Sequence, residues 1–513
     1  MTSLFLGIDL ATSAAKALLV DEAGQEVSFG SAECTVHQPR PSWQEQDLEE
    51  VWLSLQTAVR QAAAKVDPKK IQALAFSAAM HGMMPVDPAG RPLARMWTWA
   101  DGRSQEQAES LAREHNPGEV FRRTGCPLTA LYYPAKILWL KTHEPETFRR
   151  AARFLSIKDA IFHRLTGRWL TDRSQASSNG LLDTRRLEWD APWLTALGIG
   201  PERLPELADS DQVAGKLLPE AAQALGLRPG IPVVPGAGDG GLANLGSGAT
   251  DPGQAAATIG TSGAMRKIFS EPWLDPAGRV WCYHLAPGRW YAGGAINSGG
   301  IILRWLRDGL LSDVRDRALA AGEEPYERII ALAESVGPGA EGLLFLPYLY
   351  GERTPHWNPR ARGVMFGLAP QHGQAHLARA ALEGICMCLA QVHELLRASP
   401  GGIAEIRAGG GFARSAAWVQ MLADVLGAPI ALPRVRESSA LGAAFLAMKA
   451  VGAIKNLSEA KNLIPLGRSF APDPARKDFY RARFEMFQEL YRRLEDSFTR
   501  WDRLQEEARE GRR

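Results

Sequence analysis

No run of apolar residues in this chain approaches the roughly 18 that a membrane span needs, and its first strand pattern begins within a few residues of Met1, so no cleavable leader is expected. Cysteine is scarce. Cys34, Cys126, Cys282, Cys386 and Cys388 are scattered and odd in number, so a disulfide framework is excluded and a reducing compartment is expected. Cys386 and Cys388 lie two apart in an apolar helical run without a histidine or second cysteine pair nearby, and are read as buried thiols rather than metal ligands. Net charge is also nearly absent, at +2. With no long basic run and no aromatic-basic platform, a nucleic-acid partner is not expected. The remaining class is a cytoplasmic enzyme acting on a small molecule.

At 513 residues the chain is too long for a single core. Leu4 to Leu10 and Ala17 to Val20 read as paired strands, with a third near Val27 to Ala32. Leu48 to Lys65 has helical spacing, and Ile71 to Ser77 reads as a short buried strand. This alternation indicates the α/β class. A further buried strand, Ile231 to Pro235, leads into GAGDGGLANLGSG. The following ATDPG has the chemistry of a linker, which places a first domain over 1–250 and a second over 251–513. In the second, GGGFARS breaks a strand before a helix starting near Ala416. Tyr480, Phe484, Phe487, Tyr491, Leu494, Phe498 and Trp501 then form one stripe of a long amphipathic helix, expected to pack on its own domain, with a homodimer contact as the alternative.

Two segments about 250 residues apart read almost alike: IDLATSAAKALL from Ile8 and TIGTSGAMRKI from Thr258. In each, an apolar strand enters a tight turn that holds Thr-Ser between small residues, and a second strand leaves it. Such turns bare N–H groups and hydroxyls that suit phosphate oxygens. A single copy reads more readily as an ordinary surface turn. Two copies point to a duplicated fold gripping one polyphosphate. Asp9 ends the first strand ahead of Thr12 and Ser13, where it would repel phosphates unless a divalent cation such as Mg²⁺ lies between them. Lys16 adds positive charge there or points to solvent. Asp239, set among Gly236, Gly238, Gly240 and Gly241, is the candidate base for an alcohol attacking a γ-phosphate, where orientation matters more than basicity. Gly409, Gly410 and Gly411 would let backbone lie against a flat adenine ring, or form a ligand-free helix entry.

With these residues assembled, the chain resembles the FGGY family of carbohydrate kinases over nearly its whole length. The resemblance rests on IDLATSAAK, MHG from Met80, WADGRS from Trp99, GAGDGG, TIGTSG, YGERTPHWNP from Tyr350, GVMFGL with HLARAALEG, GGGFARSAAW and ESSALGAA from Glu437. It departs at Ala11, where the family usually has glycine, and at Leu131 and Tyr133, although Lys136 and Trp139 of that segment are kept. The resemblance implies a two-domain actin-like, ribonuclease H-like fold with a cleft between the domains, using ATP and Mg²⁺. It implies Asp239 as catalytic base, Asp9 on the metal side, and Thr12, Ser13, Gly260 and Thr261 as phosphate ligands. Gly300, Arg304, Gly410, Gly411 and Arg414 fall on the nucleotide side. SAAMHGMMPVD, TWADGRS, TIGTSGAMR and GGAINSGGIILRWLRD look more like gluconokinase members than xylulokinase ones, which implies D-gluconate as the acceptor. Its carboxylate calls for a cation. Arg266, Arg103 and His81 are the candidates, with Asn297 for hydroxyls and Met80 and Asp101 in the adjoining motifs. Each also reads as an ordinary salt bridge or satisfied polar group. Other sugar kinases, or a non-catalytic actin-like regulator, are the alternatives.

Overall fold

The segment Leu4–Leu10 is buried along its entire length because it runs through the middle of a sheet, with a strand on either side. In the computed structural model, which describes residues 3–510, six strands make that sheet. They are β1 (Leu4–Leu10), β2 (Ala14–Asp21), β3 (Glu26–Glu33), β4 (Ile71–Ala78), β5 (Gly215–Lys216) and β6 (Pro232–Gly238), in the order β5-β6-β4-β1-β2-β3. The central strands β6, β4 and β1 are parallel, while β2 and β3 extend the sheet as antiparallel hairpins. The helix Leu48–Ala63 is capped by Asp47, whose side chain accepts from the Glu49 and Glu50 N–H groups, and it buries Val51, Leu55, Val59 and Ala62.

The first compact unit comprises Met1–Asp251, Ile268–Ala292 and Arg434–Pro465. The expected 251–513 region thus contributes two segments to it. The physical reason is visible at Gly7, where an added Cβ would lie 1.9 Å from Ala440 O: the helix Ser438–Ala450 rests directly on the β1 backbone. The same helix packs on Asp239–Ser247.

The second unit comprises Pro252–Lys267, Gly293–Pro433 and Leu466–Arg513. Its sheet includes β7 (Gln254–Ile259), β8 (Gly263–Phe269), β9 (Glu405–Gly409), β10 (Ile430–Pro433) and β11 (Leu466–Phe470), in the run β8-β7-β9-β10-β11. The helix Lys477–Glu510 buries Tyr480, Phe487, Tyr491 and Phe498 of its aromatic stripe within this unit, while Trp501 is exposed. Tyr480 bonds Arg379 and Glu383 of the helix Gln374–Arg397, and Tyr491 stacks on His356. All five cysteines are buried and free. Among the described residues no helix is long and apolar enough to cross a membrane.

Candidate active site

The parallel registers bring Asp9 opposite Ser77, and Ala78 opposite both Leu10 and Gly238. Asp9, Ser77 and the start of the helix Asp239–Ser247 therefore share the C-terminal edge of β1, β4 and β6, the edge where open α/β sheets bind ligands. Ser77 Oγ donates to Asp9 Oδ1 at 2.7 Å. Asp9 is 5% exposed, and burial, followed by the nearby Asp239 charge, raises its pKa to about 6. Asp239 is half-buried at the helix N-terminus, where the helix dipole favours a carboxylate, and its Oδ1 accepts from the Gly240 N–H at 2.7 Å. The bulge in β6 just ahead of this helix depends on Gly236. Its φ is 76°, and an added Cβ would sit 1.6 Å from Phe76 O.

Lys16 lies opposite Asp9 in the register, and its Nζ is held 2.6 Å from Glu437 Oε2. Glu437 had no role assigned from sequence. It lies 421 residues from Lys16, and no local pattern links the two. The first turn is closed by the Ala11 N–H donating to Ala14 O at 3.0 Å, and Ala11 needs no positive φ, so its Cβ fits. Thr12 Oγ1 accepts from Trp99 Nε1 at 3.0 Å, and Ser13 is exposed. The donor set suits a hard divalent cation: a carboxylate raised in pKa by burial and by a second carboxylate nearby, beside a hydroxyl. Among the described residues no three His, Cys, Asp or Glu gather as metal ligands, so such an ion would rely on Asp9 together with phosphate oxygens and water.

Met80 and His81 lie in the loop after β4. Tyr291 Oη donates to Met80 Sδ at 3.1 Å, and His81 Nδ1 lies 2.6 Å from Ser178 O. Arg103, a candidate for either a substrate carboxylate or an ordinary salt bridge, is engaged by carboxylates of the chain itself. Its Nη2 is 2.7 Å from both Glu45 and Asp101, its Nε donates to Asp101 at 2.8 Å, and its guanidinium lies over the rings of Trp43 and Trp97. Asp101 also accepts from the Gln44 N–H at 2.8 Å, so this pair braces its own loop.

In the second unit Gly260 and Thr261 are exposed at the β7–β8 turn. The Gly300 N–H donates to Gly260 O at 2.7 Å and the Ile301 N–H to Thr261 O at 3.0 Å, which anchors the turn on the helix Gly300–Asp308. Gly410 has φ 97°, and its Cβ would meet Ile259 O at 2.5 Å, so the glycine-rich segment lies against the same strand end. Arg304 and Arg414 are exposed, the latter in the turn Gly411–Arg414 before Ser415, which caps the helix Ala416–Leu426. Arg266 is half-buried, with Nη1 3.5 Å from Thr258 Oγ1. Asn297 Nδ2 donates to Tyr350 O at 3.0 Å, so its amide supports the YGERTP loop.

Comparison with known proteins agrees with this arrangement. Residues 4–246 match the N-terminal domain of the FGGY family of carbohydrate kinases, and residues 255–451 match its C-terminal domain. A gluconokinase of Bacillus licheniformis is 39% identical over 504 residues, covering 97% of this chain and 98% of that protein. A xylulose kinase of Escherichia coli is 35% identical over 494 residues, covering 96% and 99%. The crystal structure of gluconate kinase from Lactobacillus acidophilus superposes with a TM-score of 0.92 at 30% identity, covering 98% of this chain and 100% of that one. Both halves of the chain, each with its phosphate-type hairpin, therefore belong to the FGGY family of carbohydrate kinases, ATP-using phosphotransferases that act on sugar hydroxyls.

Proposed function

We propose that this chain phosphorylates D-gluconate at its terminal hydroxyl with ATP, giving 6-phospho-D-gluconate. The observation that carries the reaction is the pair of acids, Asp9 and Asp239, at one edge of the parallel strands, with Asp9 raised in pKa by burial and then by its neighbour. In this reading Asp239 takes the proton from the attacking hydroxyl. That oxygen bonds to the γ-phosphorus as the bond from phosphorus to the departing ADP oxygen breaks. A loose transition state needs only late proton removal, so an ordinary carboxylate suffices when it is well oriented.

Mg²⁺, when bound, would offset the charge developing on the phosphates, and Asp9 is the residue that would hold it. Thr12, Ser13, Lys16, Gly260 and Thr261 are assigned to the phosphates. Gly300, Arg304, Gly410, Gly411 and Arg414 are assigned to the rest of the nucleotide. Met80, His81, Asp101, Arg103, Arg266 and Asn297 make up the sugar side, with Arg266 the preferred reader of the acid's carboxylate because Arg103 is committed to Asp101 and Glu45. The division of labour follows the sequence halves in the main, with the base and most of the sugar side on 1–250 and most of the nucleotide side on 251–513. Thr12, Ser13 and Lys16 reach the phosphates from the first half, and Arg266 and Asn297 the sugar from the second. The chain is assigned to the cytoplasm, and a homodimer is retained as part of the proposal.

Support for gluconate over xylulose comes from the higher identity to gluconokinases, 39% against 35%. Xylulose is the second reading because its kinases match over a similar length. The test is coupled ADP release with gluconate, xylulose, ribulose, fuculose and glycerol. A tenfold or greater preference for xylulose overturns the gluconate assignment and leaves the kinase mechanism standing.

A further inference from the structure

The helix Tyr133–His143 presents two donors one turn apart to a single stretch of backbone. Tyr133 Oη donates to Gly82 O at 2.6 Å, and Lys136 Nζ donates to His81 O at 2.6 Å. Lys136 is fully buried, and its Nζ also donates to Thr98 O at 3.0 Å. Burial lowers its pKa to about 7. A methionine could fill the same space without the cost of taking an ammonium out of water, so packing does not account for this residue.

The backbone it grips is unusual. His81 has φ 68°, in the left-handed region that a residue with a Cβ seldom adopts and that persists only where the surroundings over-determine it. Its ring is held separately, by Ser178 O at Nδ1 and by edge contacts with Tyr132 and Tyr283 at 5.3 and 5.8 Å between centroids. The next residue, Gly82, is pressed so closely that an added Cβ would lie 2.7 Å from Met96 Sδ. Consecutive carbonyls at positions 81 and 82 are thus pinned by the helix, and Lys136 ties them to the chain just ahead of Asp101.

We propose that Tyr133 and Lys136 form a positioning clamp, which holds the His81–Gly82 turn in its left-handed form and registers it against the Thr98–Asp101 loop, so that acceptor affinity depends on two donors committed to backbone. This rests on the reading above that Met80 and His81 lie on the sugar side. The test uses the full-length protein and the variants Lys136→Met, Tyr133→Phe and His81→Ala. Acceptor KM and kcat are measured with D-gluconate and D-xylulose, together with the KM for ATP and the melting temperature. Acceptor KM should rise about tenfold in Lys136→Met and about threefold in Tyr133→Phe, with ATP KM unchanged. Tyr133→Phe loses only a hydroxyl, so it decides the matter even if the lysine variant does not fold. A lower melting temperature with both KM values unchanged means a purely structural role and overturns the clamp. If His81→Ala raises acceptor KM while the clamp variants do not, the clamp falls and the sugar-side reading stands. If His81→Ala has no effect on it, both fall.

Discussion

The two phosphate-type hairpins share Thr-Ser in their turns yet differ in register and in charge. In the first, Leu10 pairs with Ala15 across the turn Ala11–Ala14; in the second, Ile259 pairs with Gly263 across the shorter turn Gly260–Ser262. Aligning the turns puts Thr258 where the first hairpin has Asp9, and Met265 where it has Lys16. The first hairpin therefore sits beside buried and paired charge, Asp9 with Ser77 and Lys16 with Glu437. The second is anchored instead by its carbonyls on the N-terminus of Gly300–Asp308. One repeat carries a buried acid at its strand end, and the other a turn without a charged side chain of its own.

The comparison breaks most sharply at Asp239. Asp239→Asn should lower kcat by 10²- to 10⁴-fold while leaving ATP binding nearly intact, measured by turnover beside a nucleotide titration. Near-normal turnover would remove the acid edge from the mechanism. Next in size is Arg103→Ala, which strips the partner from buried Asp101 and should cost about 3 to 5 kcal/mol of stability in denaturant unfolding. Arg266→Ala should instead raise gluconate KM roughly tenfold with little change for xylulose. If Arg103→Ala is stable and loses gluconate selectively, the two arginines have been assigned the wrong way round.

Much of the first unit was legible because its strands are short, apolar and bounded by turns. The first strand was expected over Leu4 to Leu10 and lies there; the helix expected from Leu48 ends at Ala63. Asp9 and Asp239 stood out because each carboxylate closes a buried strand. Glu437 and Ser77 did not, since each acts through a partner at least 68 residues away. The surroundings of Arg103 were hidden for the same reason: nothing local announces that Glu45 and two tryptophans enclose it.

A smaller effect sharpens the contrast between the turns. Ala11 already carries a Cβ in the first turn, and Gly260 has nothing within 4 Å of where a Cβ would stand. Gly260→Ala should therefore leave the melting temperature nearly unchanged while raising ATP KM several-fold, because only the ligand would meet the new methyl group. Gly7→Ala, with Ala440 O at 1.9 Å, should by contrast destabilise the first unit by more than about 2 kcal/mol in the same unfolding assay.

The smallest effect concerns Glu352, a buried carboxyl of the second unit. Burial raises Glu352 to about 7, although its Oε1 accepts from the Asn297 and Arg353 N–H groups. The folded state then holds a proton that the unfolded chain has released, so this group makes stability fall as pH rises from about 4.5 to 7. Glu352→Gln keeps the acceptor and should flatten that slope, read as melting temperature at pH 5 and pH 8. An unchanged slope would mean that the second unit carries a charged carboxylate at neutral pH after all.

Apolar periodicity, the glycines and the Thr-Ser turns were enough to point to an α/β fold and a phosphate-gripping site, because each is a local property of the chain, and the longer motifs carried the family. The tertiary structure decided which charges face one another. It returned the helix Ser438–Ala450 to β1, paired Lys16 with Glu437, enclosed Arg103, and turned Lys136 onto the backbone of His81. Such choices depend on residues far apart in sequence approaching within hydrogen-bond distance, where burial multiplies the consequence of every unmatched charge.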